Sequence, residues 1–187
     1  MFRPAFASFV LAIACACAPA SGGPPPASDR STYPEGPFGT AQGDVIADLT
    51  FVDSSGAPWS LRDIQKDPHN RLLLLSTAAG WCTACIEEQG ALEELHVAHA
   101  EDGLAVMVAL FEDRDFQPAS EALAEAWRTE HELTFHVVAD PEFQLGDYYD
   151  PSLTPMNMII DVNNMEMLVI STGWDRSAIE SVIGARL

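Results

Sequence analysis

The sequence predicts an α/β fold with a mixed central sheet flanked by helices. Short apolar segments typical of strands alternate along the chain with longer amphipathic segments typical of helices, which is the order of βαβ units with parallel strands. The last two predicted strands, residues 156–161 and 165–171, are joined by a tight turn and must therefore be antiparallel. The sheet is mixed because it contains both kinds of pair.

The predicted domain opens with a hairpin, which a central strand follows. Residues 49–52 and 58–61 are expected to form two short strands around a turn that contains Gly56. Residues 71–77 hold four consecutive leucines between polar ends, which is typical of a strand buried on both faces.

The remaining elements follow from the spacing of apolar residues. In residues 82–100, apolar side chains recur at steps of three and four with glutamates between them, so a helix is predicted. The same pattern predicts further helices, and short apolar runs predict further strands. The further helices are residues 120–131, 142–149 and 176–186, and the further strands are residues 104–111, 135–138, 156–161 and 165–171.

Composition limits the number of domains and the kinds of partner. The chain of 187 residues suits one domain with a real core, and its hydrophobic fraction of 48% is too high for a disordered chain. Asp and Glu number 28 against 9 Lys and Arg, a formal net charge of −19. Such a charge weighs against binding to nucleic acid or to an anionic membrane surface, since both attract clustered Lys and Arg. Four cysteines are too few for a disulfide-stapled scaffold.

Residues 1–18 predict a secretory signal peptide. Arg3 supplies a positive start, and residues 6–18 form an apolar run of 13 residues, shorter than the roughly 20 that a membrane-spanning helix needs. Small residues ahead of Cys15 resemble a bacterial lipoprotein signal, in which the cysteine becomes the lipidated first residue after cleavage. Simple cleavage after Ala18 or Ala20 is the alternative. Both interpretations predict export to the periplasm or cell envelope.

Residues 19–43 are rich in Pro, Gly and Ser, and this composition predicts a linker without a packed core. The folded domain is expected to span residues 44–187. A linker of this kind suits a tether between a lipid-anchored cysteine and the domain, and it equally suits an N-terminal segment with no such role.

The sequence W-C-T-A-C from Trp81 to Cys85 lies where a predicted buried strand ends and a predicted helix begins. A cysteine at a helix N-terminus meets free backbone N–H groups and the positive end of the helix dipole, which stabilise a thiolate. The pKa of Cys82 is therefore expected to fall below the usual value of about 8.5. The Cys82 thiolate can then attack a substrate disulfide, and Cys85, one turn later, can resolve the mixed disulfide.

Other uses of the two cysteines fit the sequence less well. A structural zinc site needs a second Cys or His pair at suitable spacing, and haem attachment needs a histidine where Ile86 stands. A structural disulfide across so short a loop adds little stability by chain entropy. A peroxidase needs Pro and Thr ahead of a lone reactive cysteine, and Thr77 alone does not meet that requirement.

With this motif in place, residues 43–187 resemble the thioredoxin superfamily, and within it the exported, membrane-anchored thiol-disulfide oxidoreductases of the TlpA/ResA type. The resemblance rests on the opening hairpin, the C-x-x-C motif, Thr154-Pro155 before a hydrophobic strand, and an inserted strand and helix within residues 104–132. It implies a thioredoxin-like fold and dithiol/disulfide exchange without a bound cofactor. Its partners would be an exported client protein and a redox partner protein.

The resemblance also implies which residues bind the substrate. Thr154 and Pro155 match the family's cis-proline loop, which would fold beside the cysteines, and Trp81 completes the expected contact surface. On the sequence alone, a trans proline that starts an edge strand is the alternative. Small side chains at residues 75–79 replace the family's aromatic-rich run, so a less bulky surround is expected for the site.

An acid–base partner for the cysteines is implied in the same way. Thioredoxin-type proteins carry a buried aspartate where Ser76 stands, and in the TlpA/ResA branch a glutamate at the position of Glu88 does this work. Glu88 is therefore a candidate to exchange a proton with Cys85, and a solvated glutamate favoured by the helix dipole is the alternative. Glu87 and Glu88 both disfavour a thiolate, which favours a reductant over an oxidant.

A binding module that uses the same thiols is the alternative function from a different class. Met156 and Met158, beside the cis-proline loop, offer thioether ligands for Cu(I), as in a metallochaperone or adaptor. Copper-binding relatives of this fold use a C-x-x-x-C spacing and a distant histidine, so core packing is the simpler explanation for both methionines. His96 and His99 share a helix side with Glu93, but the helix dipole already favours histidines near a C-terminus, and no metal site is predicted.

Overall fold

A mixed sheet of seven strands organises the computed structural model, which describes Met1 and residues 30–187. Apart from Met1, the predicted signal peptide lies outside the described residues, and so does the candidate lipidation site Cys15. The strands are β1 (Thr50–Val52), β2 (Pro58–Ser60), β3 (Leu72–Ala79), β4 (Leu104–Glu112), β5 (His136–Ala139), β6 (Met156–Asp161) and β7 (Glu166–Thr172).

Helices connect the strands and cover the sheet. The α-helices are α1 (Leu61–Lys66), α2 (Thr83–His99), α3 (Glu121–Glu130) and α4 (Arg176–Arg186), and short 3-10 helices are formed by Ala100–Asp102, Gln144–Tyr148 and Pro151–Leu153. Within the described part of the chain, no helix is long and apolar enough to cross a membrane.

The strand order is β2-β1-β5-β4-β3-β6-β7, which places β3 inside the sheet. Strand β3 pairs in parallel with β4 and antiparallel with β6, and β4 pairs in parallel with β5. Strands β1 and β2, like β6 and β7, form antiparallel pairs. All residues of β3 are buried, as its run of leucines predicts. The predicted α/β fold with a mixed sheet and an opening hairpin is confirmed.

Two elements differ from the sequence-based prediction. The second strand is predicted to extend to Leu61, but helix α1 begins there instead. The Ser60 N–H donates to the Asp63 carboxylate at 2.9 Å, a capping contact that starts the helix. Residues 142–149 are predicted as a short helix, and the structure forms a 3-10 helix over Gln144–Tyr148.

The sheet separates two apolar layers. The α2 layer contains side chains of α2, α3 and α4, and the α1 layer on the other face contains α1 and residues near the N-terminal end of the domain. Along β3, Leu72 and Leu74 face the α2 layer, whereas Leu73 and Leu75 face the α1 layer. This is the alternation expected of a strand, and it decides which layer each polar residue at the end of β3 enters.

Residues 30–43, which the sequence assigns to a linker, pack against the domain. Tyr33 is 6% exposed, and its hydroxyl donates to the Ile46 carbonyl at 3.1 Å. The Gly43 N–H donates to the Met167 carbonyl at 2.8 Å, which attaches the segment to β7. Packing therefore begins ahead of residue 44, the boundary that composition predicts.

Gly80 follows β3 and lies against the segment that follows β4. A Cβ atom on Gly80 would lie 2.7 Å from the Arg114 backbone nitrogen and 2.8 Å from the Asp113 carbonyl carbon. The Gly80 N–H also donates to the Glu112 carbonyl at 2.8 Å. The absence of a side chain at Gly80 thus permits the approach of residues 113–117 to the end of β3.

We expect Gly80→Ala to lower the free energy of unfolding by about 1–3 kcal/mol, because the backbone of residues 113 and 114 must move. Gly90→Ala is the matched control: an added Cβ on this exposed residue of α2 meets nothing within 4 Å. It should raise the free energy of unfolding by about 0.5–1 kcal/mol. Urea denaturation of the oxidised variants measures both effects, and a similar effect from the two substitutions would contradict the close approach at Gly80.

Candidate active site

The two cysteines of the motif lie at the start of α2 and form a disulfide. Cys82 is the N-cap residue of the helix, and its sulfur accepts the Cys85 N–H at 3.1 Å. Cys82 is 5% exposed, whereas Cys85 is fully buried. The predicted strand-to-helix position of the motif is confirmed, and Cys82 is the sulfur that a partner protein can reach first.

The Thr154–Pro155 peptide bond is cis, as expected. The hydroxyl of Tyr149 lies 2.7 Å from Thr154 Oγ1 and also accepts the Thr77 hydroxyl at 3.2 Å. Thr77 in turn accepts the Met156 N–H at 2.9 Å. Burial raises the pKa of Tyr149, so it keeps its hydroxyl proton at neutral pH. These contacts fix the cis-proline loop to the end of β3, the strand that leads to Cys82.

Glu88 is buried between α2 and the sheet, with 3% of its surface exposed. Ser76 donates to one carboxylate oxygen at 2.6 Å, and the Asn157 amide donates to the other at 3.3 Å. Burial raises the pKa of Glu88 from 4.5 to about 7, although both hydrogen bonds oppose the rise. The burial of Glu88 disagrees with the alternative of a solvated glutamate at this position.

The two partners of Glu88 come from neighbouring strands. Ser76 of β3 and Asn157 of β6 are directly paired in the sheet, and both side chains face the α2 layer. The Asn157 amide nitrogen also donates to the Gly173 carbonyl at 3.2 Å, while its oxygen is buried and has no hydrogen-bond partner in the described part of the chain. Sequence reasoning missed Asn157, although its alternation with Met156 and Met158 along β6 already places it on the opposite face from them.

Aromatic rings surround Trp81, the residue that precedes Cys82. Trp81 donates from Nε1 to the Glu112 carboxylate at 2.8 Å, stacks on Phe116 at 5.5 Å, and meets Phe111 edge-on at 6.1 Å. Phe111 stacks on Phe143 at 4.0 Å. The rings beside the motif therefore come from β4 and from two connecting segments rather than from residues 75–79.

The methionines and histidines considered as metal ligands are not brought together with the disulfide. Met156 and Met158 are fully buried in the α1 layer, whereas both cysteines lie in the α2 layer. The Glu93 carboxylate accepts the N–H and hydroxyl of Thr134 at 3.0 and 2.7 Å. Across residues 30–187, no three His, Cys, Asp or Glu side chains are grouped to hold a metal ion. The contacts give the Cu(I) alternative no support from these methionines.

Comparison with known proteins identifies the family. A model of the AhpC/TSA family matches residues 42–165, more than half of the chain, including the disulfide and the cis-proline loop. The chain belongs to the AhpC/TSA family. Membership in this thioredoxin-like family confirms the resemblance to the thioredoxin superfamily that the motif and its surroundings indicate.

Individual relatives of this AhpC/TSA family member agree with that assignment. The thioredoxin-like protein YneN of Bacillus subtilis is 30% identical over 130 residues, which cover 70% of this chain and 71% of the relative. A putative thiol:disulfide interchange protein DsbE from Chlorobium tepidum has a TM-score of 0.63 at 21% identity, covering 77% of this chain and 96% of that one. The exposed lipoprotein thioredoxin Etrx1 from Streptococcus pneumoniae has a TM-score of 0.57 at 20% identity, covering 74% and 99%. The predicted thioredoxin-like fold is confirmed.

Burial of Glu88 predicts a pH dependence of stability. Its folded-state pKa of about 7 exceeds the ordinary 4.5, so the folded protein holds this proton more tightly than the unfolded chain. Stability is therefore unaffected below pH 4.5, falls as the pH rises towards 7, and stays reduced above it, by about 3 kcal/mol in total. The wild type should lose this amount of unfolding free energy between pH 4 and 8, in addition to any change that other groups cause. Glu88→Gln should lack the contribution of Glu88, so its unfolding free energy should fall less, by about 3 kcal/mol, over the same range.

Glu87→Gln is the matched control for this measurement, because Glu87 is the exposed neighbour on the same helix. Chemical denaturation across this pH range should give the same profile for Glu87→Gln and for the wild type. If Glu88→Gln also follows the wild-type profile, Glu88 does not carry the raised pKa.

Proposed function

We propose that this thioredoxin-like thiol-disulfide oxidoreductase acts outside the cytoplasm as a reductant of client disulfides. The observation that carries the proposal is the Cys82–Cys85 disulfide at the N-terminus of α2, with Cys82 5% exposed and Cys85 fully buried. A pair that closes its own disulfide within one helical turn can transfer two electrons to a client without a cofactor.

The reaction begins from the reduced protein. The Cys82 thiolate attacks one sulfur of the client disulfide, and the other client sulfur leaves as a thiolate. Cys85 then attacks the Cys82 sulfur, so that the second client sulfur leaves and the protein becomes the disulfide. The client gains two electrons and two protons, and the protein loses them. A dithiol partner protein must restore the reduced pair before the next cycle.

Glu88 is assigned to the second step as a proton acceptor. It lies one turn after Cys85, and both side chains are buried in the same layer of the molecule. The Cys85 thiol must lose its proton to attack, and a carboxylate with a pKa of about 7 is suited to accept that proton near neutral pH.

Trp81, Thr154 and Pro155 are assigned to substrate binding. Trp81 is 37% exposed beside Cys82, and its indole is held by Glu112. Tyr149 holds the Thr154 side chain, and the Gly173 N–H donates to the Pro155 carbonyl at 2.7 Å. A preformed loop of this kind loses little conformational entropy when a client segment binds.

The proposed location rests on the N-terminal sequence and on the relatives. Residues 1–18 have the pattern of a signal peptide, and the similar pneumococcal protein is described as an exposed lipoprotein. We assign Cys15 as the lipidated residue, with the segment from there to Arg30 as the tether to the domain. Suitable clients are exported proteins that contain thiols or disulfides, apocytochromes among them.

Cys82→Ser should lower the reduction of insulin disulfides to the rate of dithiothreitol alone, because Cys85, the other cysteine of residues 30–187, is fully buried. Cys85→Ser should instead accumulate a mixed disulfide with the substrate, which non-reducing electrophoresis detects. Full activity of Cys82→Ser would contradict the proposal, as would Cys82-dependent consumption of hydrogen peroxide without insulin reduction.

The direction of transfer is tested by the reduction potential of the Cys82–Cys85 pair. We expect a value near that of reducing members of this fold, ~−270 mV, rather than that of the strong oxidant among them, ~−120 mV. Equilibration with glutathione or dithiothreitol buffers, followed by alkylation of free thiols, measures it. A value near the oxidising limit would show that the protein oxidises its clients.

A further inference from the structure

Exposed apolar side chains are concentrated around the disulfide. Among the large hydrophobic residues that are exposed in the described part of the chain, Trp81, Phe116 and Leu153 belong to the three segments that border the site. Trp81 precedes Cys82, Phe116 follows β4, and Leu153 precedes the cis-proline loop. We call these three residues the apolar patch.

Phe116 is held in a backbone conformation that bulky residues rarely adopt, with φ at +59°. Asp113 stabilises the turn, because its carboxylate accepts the N–H groups of Asp115 and Gln117 at 2.8 and 2.9 Å. The result is a ring that stacks on Trp81 at an interplanar angle of 22° and remains 64% exposed. The turn presents this ring to solvent, and the ring contacts Trp81 rather than the buried core.

Aromatic contacts join the two sides of the patch. Trp81 meets Phe111 edge-on, and Phe111 stacks on Phe143 with ring centroids 4.0 Å apart. Phe143 in turn meets Tyr149 edge-on, with ring centroids 6.2 Å apart. The Tyr149 hydroxyl contacts Thr154, the neighbour of Leu153. A continuous series of ring and hydroxyl contacts therefore links the Trp81–Phe116 side of the patch to the cis-proline loop.

The patch has an acidic rim. Glu112, Asp113 and Asp115 border Phe116, and Asp150 lies three residues before Leu153. Hydrogen bonds from Ser152 lower the pKa of Asp150, so it is ionised at neutral pH. Arg114, the basic residue in the first group, contacts Glu130 at 3.7 Å. The rim therefore attracts cations and repels acidic segments.

The geometry points to a docking site for one kind of client: a protein segment with an apolar side chain next to its reactive cysteine and with Lys or Arg around it. The apolar side chain lies on Phe116 and Trp81, and the basic residues face the acidic rim. This inference rests on the proposed function, because the docked cysteine is the one that exchanges its disulfide with Cys82 by the steps given above.

Three synthetic peptides test the inference, each with a single cysteine joined to glutathione by a disulfide. The first has Phe beside the cysteine and flanking Lys, the second has Ala and Lys, and the third has Phe and Glu. For the reduced wild-type protein, kcat/KM for the first peptide should exceed that for each of the others about tenfold at low salt. In Phe116→Ala, kcat/KM for the Phe–Lys peptide should be close to that for the Ala–Lys peptide. It should still exceed kcat/KM for the Phe–Glu peptide by the wild-type factor.

Phe38→Ala is the matched control, because Phe38 is an exposed aromatic residue that contacts Tyr33 of the α1 layer. It should keep both wild-type ratios. Phe116→Gly separates docking from folding: glycine adopts a positive φ without strain, so this variant should lose the Phe preference and have a melting temperature at least equal to that of Phe116→Ala.

The two levels of the proposal fail in different ways. Equal kcat/KM values for the three peptides with the wild type, or an unchanged Phe preference in Phe116→Ala, would overturn the docking site and leave disulfide exchange intact. Reduction of all three peptides by Cys82→Ser at the wild-type rate would overturn the proposed function itself.

Discussion

Burial of β3 on both faces is the constraint on which the site depends. The strand lies between β4 and β6, and consecutive side chains along it enter opposite apolar layers. At its end, this alternation directs Ser76 to Glu88 on one side and Thr77 to Tyr149 on the other. A shift of one residue along β3 would place Leu75 or Thr77 opposite Glu88 and Ser76 or Ala78 opposite Tyr149, so both hydrogen bonds would be lost or replaced. One strand thus sets the positions of the buried acid and the cis-proline loop relative to Cys82.

Glu88 keeps its position at a cost in stability. Hydrogen bonds from Ser76 and Asn157 favour its ionised form, but burial disfavours that form more strongly, so its pKa rises to about 7. An aspartate at position 76, as thioredoxin-type proteins have, would place a second carboxylate next to Glu88. Two neighbouring carboxylates repel each other when both are ionised, so the pKa of one of them rises. The Ser76 hydroxyl donates to Glu88 instead, so no second carboxylate at position 76 opposes its ionisation.

Sequence patterns predict the structural features that depend on residues close together in the chain. The leucine run identifies β3, and the strand-to-helix position of the C-x-x-C motif identifies the start of α2. Composition places Tyr33 in a linker, because its burial depends on Ile46 and other residues beyond that segment. The pairing of Asn157 with Ser76 depends on sheet register, and the stacking of Phe116 on Trp81 depends on a turn between distant elements. Local composition gives neither the register of the sheet nor the contacts between elements that are distant in the chain.

The negative charge of the acidic rim and of Glu88 has two separate effects on the proposed reaction. It would attract the basic client proposed above and speed its association, an effect that salt weakens because the Debye length is about 8 Å at 0.15 M ionic strength. It also raises the free energy of a Cys82 thiolate, which partly offsets the stabilisation from the N-terminus of α2. A less stable thiolate favours the oxidised protein and makes the pair a stronger electron donor. Glu88 contributes to this second effect from a buried position, where salt screens it much less. Increasing salt should therefore weaken client attraction well before it changes the tendency to donate electrons.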